Sequence, residues 1–380
     1  MRILYITHHY LSDNGGGTFA SRAYINAFAE IADEMTLLYP VKEGQNLFRE
    51  INSNIRLVPI TYSKSKYRKM FDLCIGRVHR YYRVAPKFIK SGEYDIVVFD
   101  NSKTSFRLID FSHKWGCKVV VIHHNYEYEY IRDNSVGIRR PLDLYWVKRY
   151  ECAAVQKADI NLTLSMQDID SLSKKYCNNR TESFRLLGVF EYCRFNRSVI
   201  NELSLPHTHF VITGNLSAVQ TVKSLSPWIT QYYPVIKNVI PDALLTIAGK
   251  KPGKSLVDLC GRYGINLIAS PKCMDSILSD ASCYICPVNM GGGVKLRVMD
   301  GLKNGLPVIS HEVSVRGYDM FVKQGIIMPY HDVDSFRKAL IRYKETKFSR
   351  KEVHRIYSDI LSFDAGVNRL KLILDKMACH

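Results

Sequence analysis

Along the chain, short runs of Val, Ile and Leu alternate with longer segments whose apolar residues recur every three or four positions. In the first half the runs are RILYIT, EMTLLYP, IRLVPIT, YDIVVFD and CKVVVIHH. Between the first two lies SRAYINAFAEIA, whose apolar spacing is helical. Continuous apolar strands separated by helices predict a parallel sheet covered on both faces. The pattern pauses at NELSLPHTH and restarts with FVITG, ALLTIAG, INLIAS, CYICPV and PVIS. The economical reading is an α/β protein with two doubly wound Rossmann-like domains joined near residues 190–208. Domains are expected over residues 1–195 and 205–350. A helical tail over 351–380 either caps the second domain or crosses back to the first. Ligands of such sheets bind outside the carboxyl ends of the strands, here expected in a cleft between the domains.

One stretch, GGGVKLRVMDGLKNGLPVIS from Gly291 to Ser310, concentrates candidate chemistry. Helical winding from about Val294 puts Val298, Met299, Leu302 and Leu306 on one side. Arg297 and Asp300 fall on the other, below a helix start at Gly293. Gly305 is placed to stop the helix, and Pro307 opens the next strand. Unpaired amides at the first turn attract a phosphate, and Gly292 and Gly293 let it approach the backbone. Lys295 and Arg297 add charge-assisted contacts. Asp300, about 10 Å along by helical rise, could accept hydrogen bonds from a sugar's vicinal hydroxyls. The bland alternative is an i,i+3 surface pair of Arg297 and Asp300, worth a few tenths of a kcal/mol. The glycines and the expected cleft position favour the ligand.

This stretch resembles the C-terminal donor-binding segment of GT-B glycosyltransferases, particularly family 4, which use nucleotide-activated sugars. The resemblance extends through GGGTFASRAYINAFAE, VVVIHHNYE and RYECAAVQKADINLTLSMQDID in the first half, and VITGNL and LLTIAGKKP in the second. It implies a retaining transferase that moves a sugar from a nucleoside diphosphate sugar to a glycan or lipid-linked acceptor, in surface polysaccharide assembly. That donor is a co-substrate, and no cofactor is implied. Gly16 and Gly17 would lie over the donor's diphosphate and His124 would face the transferred sugar. Gly214, Asn215, Lys250 and Val294 would complete the donor side. Two departures stand out. Where many members have Glu, seven residues, then Glu, this chain has Gly292 and Asp300. The Gly-Arg and Lys-Gly pair that many members carry is not evident in GNLSAVQTVKSL.

Other candidates are weaker. Gly15-x-Gly17-x-x-Ala20 formally fits a dinucleotide fingerprint, but the intervening loop from His8 to Asn14 and the missing acidic ribose ligand argue against it. His123 and His124 end an apolar run, where side chains project toward a ligand. Glu127 is a lesser candidate, and helix packing or capping explains Glu151 and Asp168 equally well. No aspartate pair calls for a divalent ion, so no metal is expected. SKSKYRKMFDLCIGRVHRYYRVAPKFIK sets cations against a near-helical row of Met70, Leu73, Cys74, Val78, Tyr81 and Ala85. It reads either as a core-facing amphipathic helix or as a dock for an anionic membrane, where a lipid-linked acceptor would wait.

Composition then sets limits. With 46% hydrophobic and 23% charged residues the chain reads as globular, and no apolar run approaches the roughly 20 residues of a membrane span. The start MRILYITHHY lacks a signal-peptide pattern, so the expected place is cytoplasmic, or peripheral on the inner face of the membrane. The 10 scattered cysteines fit reduced thiols, and CYIC lacks the second pair a metal site needs. The net charge of +17 asks for an anionic partner. A nucleic-acid-binding protein would satisfy that charge, and a nucleotide-sugar epimerase would share the donor site. Without a recognised nucleic-acid module or a separate acid/base pair, both rank below the transferase, and nucleic acid is not an expected partner.

Overall fold

The computed structural model describes residues 1–13, 15–41, 51–61, 65–76, 81–135, 137–178, 181–195 and 208–378. The chain forms two compact units. Met1–Phe195 and Leu361–His380 make the first, and Asn196–Ile360 the second. The tail therefore divides at Leu361: the helix Phe363–Ala378 packs on the helix Gly16–Ile31 of the first unit, while residues 351–360 stay with the second. Most of NELSLPHTH, Val78 and Asn14 lie outside the described residues.

Among the described residues the first unit has a seven-stranded sheet. Its strands are β1 (Arg2–Thr7), β2 (Glu34–Val41), β3 (Ile55–Thr61), β4 (Ile96–Asp100), β5 (Lys118–His123), β6 (Ile160–Thr163) and β7 (Phe184–Leu186). They lie in the order β3-β2-β1-β4-β5-β6-β7, all parallel. The second unit has six: β8 (His209–Asn215), β9 (Leu244–Lys250), β10 (Asn266–Ala269), β11 (Cys283–Cys286), β12 (Val308–His311) and β13 (Ile327–Tyr330). Their order is β10-β9-β8-β11-β12-β13, again parallel.

The central strands are buried along nearly their whole length, as Val/Ile/Leu runs covered on both faces require. Ile6, Val97, Phe99 and Val121 pack into one core; Phe210, Ile212, Trp228 and Leu340 pack into the other. In β11, Cys283 and Cys286 are buried free thiols, and three-residue spacing sends them to opposite faces of the strand. The basic stretch resolves into two helices, Lys66–Cys74 and Tyr81–Ile89. Leu73, Tyr81 and Ala85 are buried as the apolar row requires, but Met70 and Cys74 are exposed. No helix among the described residues is long and apolar enough to cross a membrane.

The terminal helix is fixed to the first unit by close approach. Arg369 Nε donates to Leu187 O at 3.0 Å, and Tyr24 on the facing helix donates to Gly188 O at 2.9 Å. A Cβ on Gly366 would lie 2.2 Å from the Phe190 ring, so only glycine fits. Gly366→Ala is expected to cost about 1–3 kcal/mol by overpacking, lowering the unfolding midpoint by roughly 2–4 °C per kcal/mol. Gly261→Ala, where no atom lies within 4 Å of the added carbon, should leave the midpoint unchanged or raise it. Equal midpoints for both variants in a thermal melt would show that the helix does not sit this close.

Candidate functional site

Strand order reverses between β1 and β4, so the residues leaving these strands face a crevice in which α/β sheets bind ligands. Asp100 ends β4, fully buried, and accepts a hydrogen bond from Thr7 Oγ1 at 2.7 Å. Its other oxygen lies 2.5 Å from His124 Nε2, just beyond β5. Burial pushes the Asp100 carboxyl up, but the charge and hydrogen bond of His124 outweigh it and bring it down to about 2. His9 stacks beside His124 with ring centroids 5.0 Å apart. Burial, then His124, pushes His9 down to about 4. His124 Nδ1 and His9 Nε2 are buried without a hydrogen-bond partner among the described residues. Ligand atoms of His9, Asp100 and His124 lie within 4.8 Å of one another, a set that could share a metal ion. Both Asp100 oxygens accept hydrogen bonds from the chain, while one nitrogen of each imidazole is left open among the described residues.

The glycine loop differs from its sequence reading. Gly16 and Gly17 form the first turn of the helix Gly16–Ile31 rather than the loop before it, and the N-cap Gly15 offers no side-chain bond to their amides. A Cβ on Gly17 would meet His9 Cε1 at 2.8 Å, so Gly17 makes room for that imidazole. His123 turns into the core and bonds Asn161 Oδ1 at 2.9 Å.

Glu127 is buried and doubly held: Lys103 Nζ lies 2.6 Å from Oε2, and Asn101 Nδ2 donates to Oε1 at 3.1 Å. Asn101 adopts φ 93°, a strained conformation at the end of β4. Behind it, Glu151 accepts from Glu127 N at 2.7 Å and from Tyr176 OH at 2.9 Å. Burial, then the neighbouring Glu127 charge, pushes Glu151 up to about 8. Asp168 bonds the amide of Tyr126 at 3.1 Å and the N-cap Ser165. Glu151 and Asp168 are thus packing and capping residues.

In the second unit the order reverses at β8, between β9 and β11. The segment after β11 is tied to the helix Val219–Val239, whose N-cap Ala218 offers no side-chain bond and whose first turn has no acid. Ser224 Oγ donates to Asn289 Oδ1 at 2.9 Å, and Arg297 Nη2 donates to Thr221 Oγ1 at 2.9 Å. The Arg297 guanidinium lies over Gly214, whose added Cβ would come within 3.1 Å of Cζ. Its Nη1 is buried without a partner among the described residues. Lys295 Nζ folds back onto Gly291 O at 3.0 Å and Gly292 O at 2.8 Å. Burial, reinforced by the Arg316 and Arg297 charges, pushes Lys295 down to about 8.

The helix expected from Val294 begins later, at Arg297, and runs only to Lys303. Gly291 and Gly293 have φ 83° and 73°, which no right-handed helix contains. Gly292, Gly293 and Val294 therefore form a loop before the helix, and their amides are not its first turn. Gly305, with φ 72°, follows the C-cap Asn304. Arg297 bonds Thr221 in place of an i,i+3 pair with Asp300. Asp300 is half-buried and adds to burial in raising the Tyr284 phenol. Asn215 spends its side chain on a turn, accepting from Ser217 N at 3.1 Å and Ser217 Oγ at 2.8 Å. Lys250, the last residue of β9, is exposed. Arg316, Thr221 and Asp100 were not singled out from the sequence. Asp100 ends an apolar run, the same cue that marked His124, whereas nothing local marks Arg316.

The chain has the GT-B fold, shared with solved structures of low sequence identity. Sucrose-phosphate synthase from Thermosynechococcus elongatus superposes with TM-score 0.70 at 13% identity, over 100% of this chain and 99% of that one. Anabaena HepE, solved in complex with UDP, gives 0.68 at 12% identity over 99% and 100%. The lipopolysaccharide outer core galactosyltransferase WaaB gives 0.66 at 12% over 99% and 100%. Residues 207–345 match the family model described as Glycosyl transferases group 1. An uncharacterized 44.6 kDa protein in the cps region of Klebsiella pneumoniae is 25% identical over 218 residues, 54% of either chain. The match thus spans about half the length of that relative.

The Glu151 environment generates a pH test. A carboxyl with a folded pKa of about 8 holds a proton that the unfolded chain releases above about 4.3. Stability contributed by this group is fully present below the unfolded value and falls as pH rises toward 8. Glu151→Gln should flatten that fall, gaining most over wild type near pH 8 and little near pH 5. Parallel wild-type and variant melting curves across that range would contradict the burial of a protonated carboxyl.

Proposed function

We propose that the protein is a retaining glycosyltransferase that moves a sugar from a nucleoside diphosphate sugar to a glycan or lipid-linked acceptor in surface polysaccharide assembly. The observation that carries this reading is the cation pair at the β8 reversal: Lys295 bonded only to carbonyls, and Arg297 bonded only to a hydroxyl. Neither has a carboxylate partner among the described residues, which suits them to an anion. The match of residues 207–345 to a glycosyltransferase family model supports it. So do the UDP in the HepE complex and the cps-region relative.

In this reading the sugar's C1–O bond to the diphosphate breaks while C1 bonds the acceptor oxygen, whose proton passes to the departing phosphate oxygen. Negative charge grows on the leaving diphosphate. Lys295 and Arg297, half-buried and already positioned, stabilise that charge without reorganising at the moment of reaction. The uncapped start of the helix Val219–Val239 adds its free amides. Asp300 accepts the ribose hydroxyls. In the first unit His124, oriented by Asp100, presents Nδ1 as a hydrogen-bonding atom for a sugar hydroxyl.

Calorimetric titration with UDP and GDP tests the donor side. Lys295→Ala or Arg297→Ala should weaken the nucleotide that binds about ten- to a hundredfold, the loss of one charge-assisted hydrogen bond. Asp300→Ala should weaken nucleotide but leave inorganic pyrophosphate unchanged. Wild-type affinities throughout would defeat the assignment.

We also propose that the first unit docks on an anionic membrane. The helix Lys66–Cys74 exposes Tyr67 (91%), Met70 and Phe71 (60%), and the helix Tyr81–Ile89 exposes Arg83 and Lys87. Apolar side chains flanked by cations suit insertion between anionic headgroups. Tyr67→Ser with Phe71→Ser should reduce flotation with phosphatidylglycerol vesicles severalfold and leave nucleotide binding intact. Undiminished flotation would make this an ordinary solvated helix.

A further inference from the structure

Gly292 and Arg316 together address the identity of the transferred sugar. We propose that the donor sugar carries a carboxylate, as in a hexuronic acid, and that Arg316 recognises it; this rests on the donor-side reading above.

Arg316 is held in place from both sides. Ser314 Oγ donates to Val288 O at 2.6 Å, and Tyr318 OH donates to Lys295 O at 3.1 Å. Both anchors are buried, and they fasten the segment carrying Arg316 to the two ends of the glycine loop. The guanidinium itself is half-buried and has no hydrogen-bond or ion-pair partner among the described residues. A partly desolvated cation left unanswered by its own chain is completed by a ligand anion.

Lys295 and Arg297 already match the two negative charges of a diphosphate diester. Arg316 is a third cation with a different anchorage. Arg297 rests on Gly214 and Thr221, whereas Arg316 faces Gly292. A Cβ on Gly292 would meet only Arg316 Nη1, at 4.0 Å, so open space lies before the guanidinium. Gly291, by contrast, is closed by Gln220 Nε2 at 2.3 Å from its added Cβ. Space and an unanswered planar fork fit a carboxylate, which a guanidinium binds through two parallel hydrogen bonds. Gly292 lacks the positive φ of its two neighbours, so a side chain can be placed there without backbone strain.

The test measures affinities of the intact protein for UDP, UDP-glucose and UDP-glucuronic acid, and for GDP, GDP-mannose and GDP-mannuronic acid. The acidic sugar of one pair should bind about tenfold or more tighter than its neutral counterpart. Arg316→Gln should abolish that preference while leaving the free diphosphate unchanged. Gly292→Glu, which supplies an internal carboxylate to Arg316, should invert the preference. Equal wild-type affinity for acidic and neutral sugars overturns the inference and leaves the donor site standing. Equal loss of diphosphate and both sugars in Arg316→Gln also overturns it, by making Arg316 a phosphate ligand. Failure of every nucleotide to bind removes the donor-side reading, and the inference with it.

Discussion

The Arg297 guanidinium rests on Gly214 and donates one hydrogen bond to Thr221, leaving a buried N–H without an acceptor among the described residues. That contact joins the end of β8, the start of the helix Val219–Val239 and the segment after β11. Any side chain at position 214 would displace the cation by contact with its central carbon. Lys295 turns back on the adjoining carbonyls, and Arg316 is fastened across the same loop. Like charges are gathered here, and among the described residues neither Lys295 nor Arg297 is paired with a carboxylate, which favours an incoming anion.

The strand ends of the first unit are organised differently. Asp100 is answered by His124, and Glu127 by Lys103 and Asn101. Such buried pairs lose heavily if one partner is removed, but they leave little net charge for a ligand. What they leave is orientation: an imidazole nitrogen held in a fixed direction by a carboxylate. The two units therefore differ in kind, with cations bonded to neutral oxygens at the strand ends of one and internally paired carboxylates at those of the other.

Apolar runs made most of the sheet legible. β1 to β5 and β8 to β12 follow the quoted Val/Ile/Leu segments closely. β7 escaped because three residues with one buried position carry no period, and β13 because Pro329 interrupts its run. The stretch Gly291–Ser310 was legible in composition but not in geometry. Its glycines read as a helix start, yet the positive φ of Gly293 forces a loop and delays the helix to Arg297. Arg316 was invisible because its place depends on Ser314 and Tyr318 reaching distant carbonyls. The missing side chain of Gly17 seats His9, a packing role that no local pattern in the sequence marks.

The helix Phe363–Ala378 completes the first unit although the whole second unit precedes it in the chain. During translation the usual N-to-C order is therefore broken. The second unit is fully synthesised while the surface of Gly16–Ile31 still lacks its cover, and Phe190 waits for the glycine that fits against it. A premature stop after Ile360 would spare the glycine loop at Gly291–Gly293 yet leave an apolar helix face open on the nascent protein, a substrate for chaperones and proteases.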